Sequence, residues 1–216
     1  MSTNLTVEAL QDEKRYRLIL ELPYSDIPDF VMEHLFRKNV EVRFFWFSVI
    51  LFLLIAIRPS IIFFGSAPGI LNTLWYGFLG LVLIPVLLIP LHEGIHALVL
   101  VLSGGRNIRV GADLKHFFFY VTAHRYPVRR KAFTRVALAP FFVINTALWV
   151  TAWLLPGYLS WAFYLALFSH ATMCAGDFAM LSFYSRYPGR EIITYDDVDE
   201  KTAYFYLDTD TPSPQL

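Results

Sequence analysis

Residues 71–102 form an apolar run in which Glu93 is the only charged residue, and this run limits the available folds more than any other feature of the chain. At about 1.5 Å of rise per residue, a helix of that length exceeds the ~30 Å hydrocarbon core of a bilayer. Three more stretches approach or reach spanning length: residues 44–64, 136–155 and 158–184. With 56% hydrophobic residues, 17% charged residues and twenty phenylalanines, too little polar surface exists to cover these segments in water. The expected fold is an all-α polytopic membrane protein with about four transmembrane helices and small cytoplasmic β-hairpins.

The four stretches differ in detail. Arg58-Pro59 interrupts the first and marks its exit point, while Pro85 and Pro90 kink or divide the second. The third has no charge, and Trp149 and Trp153 near its end suit an interfacial belt. The fourth contains one charged residue, Asp177. Six basic residues precede residue 44 and eight lie in the loop 104–135, whereas the Pro156-Gly157 turn has none. The positive-inside rule then puts both termini and the central loop in the cytoplasm of a cell, expected to be bacterial, with the chain multi-pass in its membrane. Glu93 and Asp177, the two acidic residues of the spans, come to similar depth in the cytoplasmic half.

The chain divides into a cytoplasmic N-terminal segment 1–43, a transmembrane core 44–184 with its loop 104–135, and a C-terminal hairpin and tail 185–216. No apolar core followed by small residues occurs in the first forty positions, so the N-terminus is expected to be retained. Residues 17–22 alternate weakly as a strand, and 27–40 read as an amphipathic interfacial helix. Residues 107–110 and 117–121 flank Gly111-Ala112-Asp113 as a hairpin, and its Phe117 to Tyr120 run dips into the bilayer or packs on the helices. Residues 191–195 and 203–207 flank an acidic turn as a second hairpin. Balanced charge gives no reason to expect a nucleic-acid partner; the expected partners are the lipid bilayer and a membrane protein or peptide substrate. A single cysteine, Cys174, excludes an internal disulfide. Oligomeric state is not legible.

His92-Glu93-Gly94-Ile95-His96 is an HExxH motif. On a helix, residues four apart share a face, so both imidazoles can bind one Zn2+ while Glu93 reaches a water beside it. A catalytic zinc generally takes three protein ligands and keeps one open position. Asp177 is the best third ligand, being the other intramembrane carboxylate and following Gly176, which permits close helix approach. His170, seven residues earlier, is read first as a hydrogen-bonded helix-packing residue and otherwise as the rival ligand, a partner of a ligand or a proton donor. Asn145 reads as interhelical glue with a smaller role in orienting substrate, His116 and His124 as solvated or interfacial, and Cys174 as a small packing residue. The chemistry indicated is hydrolysis, with Glu93 accepting the proton of water and passing it to the leaving amine.

An HExxH in an early membrane helix, a cytoplasmic hairpin and an aspartate after glycine in a later helix resemble the intramembrane zinc metalloproteases of the site-2 protease type. The chain is more closely similar to a small bacterial family of zincin membrane peptidases. The shared motifs are His92-Glu93-Gly94-Ile95-His96-Ala97-Leu98, Gly111-Ala112-Asp113-Leu114-Lys115, Ala139-Pro140-Phe141 and Gly176-Asp177, then Asp196-Asp197 with Ala203-Tyr204-Phe205-Tyr206. The resemblance spans roughly residues 71–207 and implies His92, His96 and Asp177 as metal ligands and Glu93 as catalytic base. The sequence departs from site-2 proteases in lacking their Asn-Pro-Asp-Gly pattern and in placing Phe178 where they have glycine. The leading expectation is a membrane-embedded zinc-dependent metalloprotease. The alternatives are a non-catalytic metal-binding membrane protein and a small ion-binding or transport protein using Glu93 and Asp177.

Overall fold

The computed structural model describes residues 5–64, 69–113 and 118–210. His116 and the start of the Phe117 to Tyr120 run lie outside them. The order is β1 (Tyr16–Pro23), α1 (Ile27–His34), α2 (Val40–Phe64), α3 (Gly69–Phe78), a π-helical turn (Leu79–Leu83), α4 (Ile84–Leu102), β2 (Ile108–Asp113), β3 (Phe118–Ala123), β4 (Val128–Arg129), α5 (Arg130–Leu154), α6 (Gly157–Met173), α7 (Ala175–Tyr184), β5 (Ile192–Asp197) and β6 (Thr202–Asp208).

Among the described residues, three helices are long and apolar enough to cross a membrane: Val40–Ile57 within α2, the continuous run Gly69–Leu102, and α5. Only 11% of the Gly69–Leu102 window is buried inside the protein, and Leu71, Leu74, Leu87 and Leu98 stand exposed on it. Such a surface is consistent with a membrane protein. Two expectations change here. The helix α2 continues through Arg58-Pro59 to Phe64, and the stretch 158–184 is two helices, α6 and α7, meeting at Cys174. The prolines of the second stretch do not divide it. Pro85 stands at the start of α4, directly after the π-helical turn, and Pro90 lies inside α4.

Gly80, in the π-helical turn, is where this long helix presses on α6: a Cβ there would lie 2.2 Å from the carbonyl oxygen of Ala162. Ser169 on α6 donates its hydroxyl to the Leu81 carbonyl at 3.1 Å, a group whose α-helical donor position is taken by Pro85. Gly176 plays no such part, since a Cβ there would meet nothing within 4 Å, which corrects its expected role in helix approach.

The terminal segments join in one antiparallel sheet of order β1-β6-β5-β4. The expected strand near residue 20 therefore pairs with the last strand of the chain, with Tyr16 opposite Asp208 and Pro23 opposite Thr202. The helix expected over 27–40 is confined to α1. In the central hairpin, β2 pairs with β3 and Gly111 lies opposite Tyr120, so Gly111-Ala112-Asp113 is strand and not turn. The Tyr120 ring covers Gly111 so closely that a Cβ would come within 2.2 Å of it, and it packs on Tyr24 with centroids 4.9 Å apart.

Between sheet and long helices sits α7. Its Phe178, 1% exposed, packs on Phe45 of α2 and Phe141 of α5 with centroid distances of 5.3 and 5.2 Å. Phe183 and Tyr184 face Phe205 of β6. The aromatic at position 178 thus locks the short helix to both neighbours and fixes the residue before it.

On α1, the buried His34 donates Nδ1–H to the Phe30 carbonyl at 2.8 Å, leaving Nε2 buried without a partner. Burial holds its pKa below the usual imidazole range, with Arg37 and Arg186 adding to the effect and the Phe30 bond and Glu33 opposing it. Because the unfolded chain binds this proton more readily, His34 contributes stability that is complete above about pH 6.5 and lost as pH falls below it. Thermal unfolding of the detergent-solubilised protein at pH 7.5 and 5.5 is expected to show a larger acid drop for the wild type than for His34→Phe; equal drops would exclude His34 as the source.

Candidate metal centre

The buried face of α4 carries His92, His96 and Leu100, four residues apart, while Leu91, Gly94 and Leu98 face outward. His96 lies six residues before the helix end at Leu102, about 9 Å along the axis. There Gly104 adopts φ +94° and the Gly105 N–H returns to the Leu100 carbonyl at 2.8 Å, a glycine-dependent helix stop. Asp177 stands in the first turn of α7. The site is therefore near the ends of both helices.

The structure brings together the three side chains singled out as ligands. His92 Nε2 and His96 Nε2 are 3.0 Å apart. Asp177 Oδ2 lies 3.5 Å from His92 Nε2, and Asp177 Oδ1 lies 3.4 Å from His96 Nε2. Ligands about 2.0–2.2 Å from a tetrahedral zinc are separated by roughly 3.3–3.5 Å, a spacing the two imidazole–carboxylate distances match and the 3.0 Å imidazole pair falls slightly short of. Glu93 is half-buried between the two histidines in sequence and within electrostatic reach of His96, His92 and Asp177.

Each imidazole also has its second nitrogen engaged. His96 Nδ1–H donates to the Val136 carbonyl of α5 at 2.9 Å. In an α-helix that carbonyl would accept from the N–H of residue 140, but Pro140 has none. Pro140 thus frees the acceptor that orients His96, which gives the Ala139-Pro140-Phe141 motif a physical reason. His92 Nδ1 meets His170 Nε2 at 3.2 Å, and His170 Nδ1 lies 2.9 Å from Asn145 Oδ1. His170 therefore stands behind His92, away from the carboxylate. With Nδ1 protons held this way, both Nε2 lone pairs remain available to a metal.

Another grouping, which the sequence left as a solvated or interfacial histidine, joins His124, Asp197 and Asp199. His124 Nδ1 accepts the Val198 N–H at 3.2 Å, so its proton lies on Nε2, facing Asp199 at 3.5 Å. Arg109 and Arg125 already occupy Asp199 and Asp197. These contacts, with Thr122 donating to Asp196 at 2.5 Å, clasp the central hairpin to the C-terminal one. The acidic turn is thereby satisfied within the protein.

Comparison with curated proteins and with solved structures returns no match. Residues 85–191 match a protein family described as "Putative zincin peptidase", the family whose motifs the sequence resembles. That segment, just under half of the chain, contains His92, Glu93, His96 and Asp177, and it is over this segment that the chain is similar to the family.

Proposed function

We propose that this protein is a membrane-embedded, zinc-dependent metallopeptidase that hydrolyses peptide bonds in or near the bilayer. The observation that carries the reading is the convergence of His92, His96 and Asp177 at 3.0–3.5 Å, two of them flanking a glutamate on one helix. When bound, zinc supplies Lewis-acid polarisation of the scissile carbonyl and a water of pKa near 7. His92, His96 and Asp177 would hold the ion, the three protein ligands a catalytic zinc generally takes. Glu93 takes the proton from the attacking water and delivers it to the departing amine.

The membrane setting is supported by the exposed apolar faces of the long helices and by the short distance from His96 to the end of α4. In our reading the helices α6 and α7 together make a fourth, broken crossing, with both termini in the cytoplasm. Arg106, Arg109, Arg125, Arg129 and Arg130 gather on the segment between α4 and α5, at the end where the sheet lies, as an inward-facing loop requires. Site depth about one and a half turns from the helix end lets water enter from that side.

The test is metal content together with hydrolysis. Purified protein should hold about one zinc per chain, and in liposomes it should cut a panel of fluorophore-quencher peptides with single apolar spans, new termini being mapped by mass spectrometry. Stripping with a zinc chelator should abolish cleavage and added zinc should restore it. A chain that takes up no zinc, or whose cleavage survives complete stripping, would overturn the proposal.

A further inference from the structure

We propose that Asn145 and His170 form a positioning relay that fixes which nitrogen of His92 faces the metal. This inference rests on the metallopeptidase reading and adds two residues to it, neither of them a ligand. To bind a metal through Nε2, His92 must carry its proton on Nδ1, and in this buried place that N–H needs an acceptor. The acceptor within reach is His170 Nε2, at 3.2 Å. For His170 to accept there, its own proton must sit on Nδ1, which requires a second acceptor. Asn145 Oδ1 supplies it at 2.9 Å.

The amide orientation is what gives the chain of bonds its direction. Were Asn145 turned over, its Nδ2 would donate to His170 Nδ1, His170 would donate from Nε2 to His92 Nδ1, and His92 would be left with its proton on the nitrogen facing Asp177. That arrangement cannot ligate. The observed orientation leaves Asn145 Nδ2 buried with no hydrogen-bond partner, in a residue only 5% exposed. An orphaned donor of this kind is uncommon in folded proteins. It is explained if the amide is held by the requirement at its oxygen. His170 is 0% exposed, so bulk solvent does not reach it.

The same geometry decides between the relay and a second metal set, since His92, His170 and Cys174 also lie close together. Cys174 Sγ is turned to the His170 carbonyl at 3.5 Å. His92 Nδ1 and His170 Nε2 face each other across a hydrogen-bond distance, which one shared proton explains without an ion between them.

Zinc affinity by chelator competition and the visible spectrum of the cobalt-substituted protein provide the test, alongside unfolding curves. His170→Leu and Asn145→Leu should bind zinc 10–100-fold more weakly, the range for loss of a group that orients a ligand, yet still reach one ion per chain at saturation. His170→Gln, whose amide oxygen can accept from His92, should recover most of the affinity and the wild-type cobalt spectrum. A purely structural role predicts instead that affinity follows stability and that Gln and Leu behave alike. Affinity within twofold of wild type in both leucine variants overturns the relay, and a zinc stoichiometry lost in His170→Gln makes His170 a ligand. If the leucine variants do not fold, nitrogen NMR of the zinc-loaded, histidine-labelled wild type decides: His170 protonated on Nδ1 supports the relay, and on Nε2 overturns it. A wild type that binds no zinc fails the parent reading, a result distinct from all of these.

Discussion

Glu93→Gln is expected to leave zinc content near one per chain while lowering peptide hydrolysis by about 10²–10⁴-fold, the usual worth of a positioned general base. The change is nearly isosteric and removes only the capacity to take up a proton. It should not disturb the ligands, because His92, His96 and Asp177 meet one another without Glu93, and their outer contacts run to Val136 and His170. Nor should the helix suffer, since glutamine and glutamate have similar helical preference. Metal content, unfolding temperature and cleavage of the same span-containing peptides, measured side by side, make the result readable. Full activity in this variant would remove the hydrolytic mechanism, and loss of zinc would place Glu93 among the ligands.

Which parts of this site could be seen in the sequence follows from the range of the interactions involved. The pairing of His92 with His96 is a matter of helical period, and the depth of Asp177 follows from counting along apolar stretches. Both are local. The break at Cys174 was not legible, because 158–184 reads as one apolar segment with no proline inside it, and Gly176 drew attention to helix approach when the approach occurs at Gly80. The sheet was half legible for a similar reason: turn residues announce the β5–β6 hairpin, whereas pairing of Tyr16 with Asp208 joins opposite ends of the chain and leaves no local signature. Gly111 misled in the other direction. A glycine next to an aspartate suggests a turn, yet here it makes room for the Tyr120 ring on the facing strand.

The contacts that orient the ligands were the least visible. Asn145 and His170 could be noted as polar groups in apolar helices, which are costly unless partnered, but not which of them would face the other. Pro140 offered a better clue than was taken from it. A proline ten residues into a helix always leaves the carbonyl four residues earlier without its donor, and in an apolar span that vacancy asks for a side chain. Val136 and His96 answer each other in that way. The transport alternative weakens on the same ground, since on the proposed reading histidines fixed by outer hydrogen bonds suit a held metal better than passage of an ion.

Asp177→Ala is expected to lose zinc more severely than any change behind the ligands, by more than the 10–100-fold typical of an orienting group, and to lose activity with it. Two imidazoles alone would remain, one short of the usual three-ligand set, and the charge that offsets the cation would be gone. The fold should tolerate the change, because the apolar packing of α7 rests on Phe178, Phe183 and Tyr184. Phe178→Ala separates the two effects. Removing a fully buried phenylalanine costs about 3–5 kcal/mol of stability and frees the start of α7, so that variant should unfold at lower temperature and also hold zinc less well, whereas Asp177→Ala should be weakened in zinc binding alone. Undiminished zinc in Asp177→Ala would transfer the third ligand to another donor.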